Sequence, residues 1–147
     1  MPCVRTEIDG QNQAVLSVVV LPPGKWREIA AREGQVSEQD AYPCSALIDT
    51  GANRSCISKH VADALGIKPR GRAPIRGVHG MKESNLYTVD FILWDVRHFI
   101  GDIDLVEVDF PKKNKYEALI GMDVISRGTL HTSYHSQDSR GVCTFCI

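Results

Sequence analysis

Short apolar runs and alternating stretches, separated by Gly, Pro and polar turns, organise this chain, which is the pattern of a strand-rich domain. The longest apolar run, Ala14-Val15-Leu16-Ser17-Val18-Val19-Val20-Leu21, predicts a strand over residues 13–21, and Pro22-Pro23-Gly24 ends it. Residues 25–33 place Trp26, Ile29 and Ala30 at helical spacing and predict a short helix, followed by a polar loop from Gly34 to Pro43. Cys44 to Ile48 reads as a buried strand, Gly51 as the turn at its end, and Ser55 to Ser58 as a returning strand. Ser58 is placed to cap a helix over Lys59 to Leu65, with Val61, Ala64 and Leu65 inward. Gly66 suits its C-terminal end and Pro69 bars its resumption. Residues 74–93 predict a hairpin with Gly77-Val78-His79-Gly80 at the tip, and Tyr87, Val89, Phe91 and Leu93 share one face. Asp102 to Phe110 is a further strand, Asn114 marks a turn, and residues 117–127 form a strand and a short helix ended by Gly128. Thr129 to Tyr134 and Val142 to Ile147 make a last hairpin around Gln137-Asp138-Ser139. The expectation is a mainly β chain with one or two short helices.

Composition narrows the function classes. The 147 residues suffice for one domain with a workable core, and 43% apolar with 24% charged residues is ordinary for a soluble protein. A net charge of −1 offers no basic field for nucleic acid. The basic runs Lys68-Pro69-Arg70-Gly71-Arg72 and Lys112-Lys113-Asn114-Lys115 read as solvated loops. The longest apolar run is too short to span a membrane, and no signal peptide is visible. The odd count of 5 cysteines, without a secretory signal, predicts free thiols in a reducing compartment. The expected location is cytoplasmic, or release from a larger precursor, and not secretion. His131 and His135 would share a face of a strand, but Cys143 and Cys146 would point to opposite faces, so no metal site is expected there.

The candidate chemistry lies in Ala46-Leu47-Ile48-Asp49-Thr50-Gly51-Ala52. A carboxylate at the end of a buried strand, beside a hydroxyl and a glycine, can hold a water and move protons. The same tripeptide also fits a plain surface turn. A second stretch, Ala118-Leu119-Ile120-Gly121-Met122-Asp123, repeats the pattern of an apolar strand running into Gly and a helix. With Cys56-Ile57-Ser58 and the glycine-rich hairpin between them, the order and spacing over residues 44–130 resemble the retroviral-type (retropepsin-like) aspartic proteases.

The resemblance implies a closed acid-protease-type β barrel, a single lobe that pairs as a twofold homodimer. Residues 1–147 would be one domain, with 22–43 a peripheral insertion away from the cleft and 74–93 the flap hairpin. Hydrolysis by carboxylates needs two of them sharing a proton, and this chain holds one Asp-Thr-Gly. The implied activity is a homodimeric aspartic endopeptidase whose lytic water is activated by two Asp49 carboxylates, one per chain, acting on a peptide or protein. Thr50 would bond across the axis, and Gly51 would offer a carbonyl to substrate. Ala52 and Asn53 would line the pocket, and Gly77, Val78, His79 and Gly80 would cover the substrate. His79 is unusual for such a tip. Asp123, at a helix start, is read as structural. No metal or cofactor is implied. The C-terminal strand is expected to build the intersubunit sheet. Asn53, Arg54 and Met122 stand where the retroviral enzymes carry acids and an Arg that brace their dimer. The alternative class is a catalytically silent dimerisation or binding module on the same fold.

Overall fold

The computed structural model describes residues 1–137 and 140–147, so Asp138 and Ser139 of the expected last turn lie outside the described residues. The elements run β1 (Cys3–Ile8), β2 (Val15–Leu21), α1 (Lys25–Ala31), β3 (Tyr42–Ile48), β4 (Cys56–Ser58), α2 (Lys59–Ala64), β5 (Gly71–Gly77) and β6 (Gly80–Leu93). After a 3₁₀ turn at Trp94–Val96 come β7 (His98–Val108), β8 (Ala118–Ile120), α3 (Met122–Ile125), β9 (Thr129–His135) and β10 (Arg140–Cys146). The described residues thus hold three short α-helices, one more than the upper expectation.

Six strands close a barrel in the order β2-β3-β8-β4-β7-β6, because β2 pairs back onto β6. The β3–β8 and β4–β7 pairs are parallel, and the other barrel pairs are antiparallel. β5 hangs from β6 outside the closed ring, and Gly77 pairs with Gly80 across a two-residue tip. Gly80 takes a φ of 107°, which only glycine adopts readily.

The core follows the period of the strands. Tyr87, Val89, Phe91 and Leu93 all point inward, joined by Leu16, Val18, Val20, Ile57, Ile103, Leu105 and Ile120. β2 is apolar on both faces for a second reason: Val19 and Leu21 pack outward with Ile92 against Ile29 of α1. α1 therefore covers part of one outer wall of the barrel. Trp26 and Ala30 do not join Ile29 in the interior; Trp26 is 41% exposed and sets its ring 6.1 Å from that of Phe99. In α2 the inward pair is Val61 and Ala62, and Ala64 faces solvent. Ser58 holds the N-cap position without capping, since its hydroxyl meets His60 Nδ1 at 2.6 Å instead. Gly66 ends that helix with φ 65°.

A separate sheet gathers the two ends of the chain in the order β1-β10-β9. Val4 and Phe145, paired in its register, both enter the barrel core. Cys3 and Cys146 are also partners in register and are joined by a disulfide. The expectation of five free thiols is corrected here: Cys44, Cys56 and Cys143 remain free, and the terminal pair does not. β1 pairs with a strand more than a hundred residues away, a partner that no local pattern announces. No helix among the described residues is long and apolar enough to cross a membrane.

Candidate active site

β3 delivers Asp49 to the point where the strand leaves the barrel, since Leu47 and Ile48 are still paired with Leu119 and Ile120 of β8. The Asp49 N–H donates to Ile120 O at 3.0 Å, so the pairing persists up to the acid itself. The chain then turns: the Gly51 N–H donates to Asp49 Oδ1 at 2.9 Å, and the Ala52 N–H to Asp49 O at 3.2 Å. A side chain at Gly51 would put its Cβ 3.2 Å from Asp49 Oδ1. Oδ2 accepts no hydrogen bond from the described residues. Asp49 and Ala52 are half-buried, and Thr50, Gly51, Asn53 and Arg54 are exposed.

A second loop braces the first from behind. The Met122 N–H donates to Ala52 O at 2.8 Å. Gly121 presses so closely that a Cβ there would lie 2.7 Å from the carbonyl carbon of Arg54 and 2.9 Å from Ala52 O. Ser55, fully buried, links the two loops: its hydroxyl accepts the Gly121 N–H at 2.9 Å and donates to Asp123 Oδ1 at 2.7 Å. The Ser55 N–H reaches the same carboxylate at 3.0 Å, and the Val124 N–H donates to Oδ1 at 2.9 Å. Asp123 is thus engaged by backbone and hydroxyl donors that hold the loop of Asp49, which fits the structural role expected of it. Ser55 escaped the sequence reading. No local signal marks it, since its partners Gly121 and Asp123 lie more than sixty residues away.

Two free thiols flank the braced region. Burial, followed by the charges of Asp123 and Asp49, pushes Cys56 up to about 11. Burial, followed by the charge of Glu117, pushes Cys44 up to about 12. Neither is a thiolate at neutral pH, so neither is a ready nucleophile. Among the described residues no cluster of three or more His, Cys, Asp or Glu is arranged to hold a metal. Cys146 is bonded to Cys3, and His131 and Cys143 belong to different cross-strand pairs.

Gly77, Val78, His79 and Gly80 line a cavity of about 420 Å³ with Met81, Lys82, Glu107, Val108 and Asp109. Asp49 is not among its lining residues. Val78 is 99% exposed, so the apolar end of the tip touches nothing in its own chain. The base of the hairpin is secured to β7: Tyr87 OH and Asn85 Nδ2 both donate to Glu107, the latter at 3.1 Å, and Ser84 Oγ donates to Glu107 O at 2.7 Å. Burial and the bond to Glu107 push the Tyr87 phenol up to about 12, so it remains a donor throughout the physiological range. The structure therefore groups Asp49 to Asn53 in one braced turn and Gly77 to Gly80 in another, and the cavity at the second turn is not lined by the first.

The fold recurs in known proteases. The structure of a retropepsin-like aspartic protease from Rickettsia conorii superposes with a TM-score of 0.58 at 11% identity, covering 98% of this chain and 91% of that one. EIAV protease, solved as a complex with the inhibitor HBY-793, superposes with a TM-score of 0.51 at 18% identity, over 81% of this chain and 90% of that one. Both share the mainly β, closed-barrel lobe described above. A sequence comparison with curated proteins finds no match. The family model described as "gag-polyprotein putative aspartyl protease" matches residues 34–127, which include β3 with its Asp-Thr-Gly turn, the glycine-rich hairpin and the Gly121 brace. With most of its length accounted for in this way, the chain belongs to that aspartyl protease family.

Proposed function

We propose that the protein is an aspartic endopeptidase that works as a homodimer, with one Asp49 from each copy forming the acid pair. The observation that carries this reading is the braced turn. Asp49 leaves the barrel on a loop tied to β8 and α3, with one carboxylate oxygen held by Gly51 and the other accepting no hydrogen bond from the described residues. A single such turn supplies half of a two-carboxylate site, and its remaining oxygen is available to a water. In the pair, the ionised carboxylate takes a proton from the water as its oxygen attacks the peptide carbon, and the protonated one gives its proton to the carbonyl oxygen. The resulting gem-diol loses a proton back to the pair as the C–N bond breaks, and the leaving nitrogen is protonated. Water is consumed and the pair returns to its starting charge.

Thr50 is assigned to cross-axis bonding, Gly51 to a substrate-facing carbonyl, and Ala52 and Asn53 to the pocket walls. Gly77 to Gly80 form the flap, with Val78 as its apolar contact. Residues 1–147 act as one domain, and residues 22–43 serve as a wall of the barrel away from Asp49. Substrates carry bulky apolar residues on both sides of the scissile bond. The test is proteolysis of a broad peptide library by wild type and Asp49→Asn. The substitution keeps shape and removes the titrating group, so cleavage falls to background while chelator and thiol-blocker leave the wild type active. Cleavage that survives Asp49→Asn, or that is lost with chelator, overturns the mechanism. An inert wild type favours the silent binding module or a protease that cleaves one cognate precursor alone.

A further inference from the structure

Between α1 and the outer faces of β6 and β7 lies a cavity of about 490 Å³, lined neither by Asp49 nor by the hairpin tip. Its size suits a small ligand or one end of a peptide. The floor is apolar, since Ile29 of α1 and Ile92 of β6 are buried there. Trp26 and Phe99 add aromatic lining, with their rings 6.1 Å apart and tilted by 57°. Two exposed charged residues, Arg97 and Glu33, also line it, and neither forms an ion pair among the described residues. The lining is fixed in place at both ends of α1. The Gly24 N–H at its start donates to buried Asp90 at 2.9 Å, and the Gly34 N–H beyond its end donates to Ile29 O at 2.9 Å. Arg97 ends the 3₁₀ turn in left-handed backbone, φ 52°, and its guanidinium lies 3.4 Å from the centre of the Trp94 ring. Stacking on an aromatic face holds a guanidinium by its plane and leaves its N–H edge free for a carboxylate.

We propose that this cavity binds the carboxy-terminal residue of a peptide, with the apolar side chain against Trp26, Phe99 and Ile92 and the carboxylate on Arg97. Each part of the lining has a counterpart in that ligand. The apolar floor and the two rings take a bulky side chain. The unpaired guanidinium takes the terminal carboxylate in a charge-assisted pair. The Glu33 carboxylate accepts a peptide N–H, a donor that a simple aryl or fatty acid lacks. The inference rests on the endopeptidase reading, which supplies such ligands. Cleavage between two bulky apolar residues leaves one fragment that ends in an apolar residue with a new carboxylate. An intact substrate carries no carboxylate at that point, so the cavity separates a product end from the same sequence uncut. The site is therefore a place where this chain retains one of its own products, on the α1 side of the barrel and away from the Asp49 turn.

Calorimetric titration of the full chain with acetyl-Ala-Ala-Phe, as the free acid and as the carboxy-terminal amide, tests this. Asp49→Asn is the background, so that neither peptide is cleaved during the measurement. The acid should bind at least about tenfold more tightly than the amide, because only the acid pairs with Arg97. Adding Arg97→Gln should remove that preference and leave both forms equally weak. Adding Trp26→Ala instead should weaken both forms together. Circular dichroism matching that of the parent shows that each variant is folded, which the exposure of both side chains allows. No binding of the acid at millimolar concentration, equal affinity for acid and amide, or an acid preference that survives Arg97→Gln overturns the site and leaves the proposed proteolysis untouched. An acid preference lost with Arg97→Gln, in a chain whose wild type cleaves no library peptide, keeps the site and overturns only the source given for its ligand.

Discussion

At position 121 a single methyl group would collide with the backbone of Arg54 and Ala52, and this one contact explains why the family pattern needs glycine there. The sequence shows the glycine, and its partners become visible only when β3 and β8 lie side by side. The place of Asp49 at the end of β3 was legible because an apolar run into Asp-Thr-Gly marks a strand end locally. Ser55 was not, because its importance comes from Gly121 and Asp123, more than sixty residues away. Asp90 was hidden for the same reason. It is fully buried, and its two oxygens accept the Gly24 N–H and the Asp102 N–H, each at 2.9 Å. Burial raises its carboxyl above the ordinary 3.8, against the lowering effect of those two bonds. The folded chain thus binds this proton more tightly than the unfolded chain. Asp90's contribution to stability is fullest below the unfolded value and is lost as pH rises through the folded one. Asp90→Asn retains one acceptor and leaves one buried N–H unpaired, a cost of about 1–3 kcal/mol. Urea midpoints of the two proteins from pH 3 to 7 should show the wild type ahead, with its margin narrowing as pH rises. A margin that widens with pH contradicts the assignment.

Among the elements, those that bury one face were the easiest to read. Residues 87–93 alternate and do place Tyr87, Val89, Phe91 and Leu93 in the barrel. β2 is apolar at every position but the exposed Ser17 because two layers cover it, the barrel core on one side and α1 on the other. A run of that kind fixes the strand but not what lies on each face. In α1 and α2, helices of 7 and 6 residues, too few turns are present for the period to determine the face, so Ala30, placed on one face with Ile29, and Ala64, expected inward, both lie outside. β1 and the Cys3–Cys146 pairing depend on the meeting of the chain ends, which composition does not encode. The disulfide also removes the free-thiol argument for a reducing compartment. Ile29 is the one fully inserted side chain of α1, packed on Val19, Leu21 and Ile92. Ile29→Ala should cost about 2–3 kcal/mol, the low end for such truncations because the cluster is small and at the surface. It should also loosen Trp26 from Phe99 and red-shift the tryptophan emission. Unchanged urea unfolding and emission would show that α1 does not support the wall it covers.

For the whole molecule, one Asp-Thr-Gly is present, and Asp49 does not line the cavity at the hairpin tip Gly77–Gly80. If the active species holds two chains, activity depends on the product of two intact copies rather than on their sum. Wild type and Asp49→Asn, mixed and allowed to exchange at equal amounts, then form three kinds of dimer. Only the wild-type pair has two titrating carboxylates, so the mixture should show about a quarter of the activity of the same total amount of wild type, as random pairing under twofold symmetry requires. A one-chain enzyme would retain half. The pH dependence of the wild-type pair follows from the same requirement. One carboxylate must be protonated and the other ionised, so the profile is bell-shaped, with both limbs belonging to the pair and not to either residue. Two acids held close together share a proton into mildly acidic conditions, and the maximum should fall at about pH 4 to 6. The heterodimer separates this from simple unfolding in acid: it carries one acid and one amide, has no proton to share, and should stay inactive across the range in which it remains dimeric. Half-activity in the equal mixture, or a single sigmoidal pH limb, would assign the chemistry to one chain.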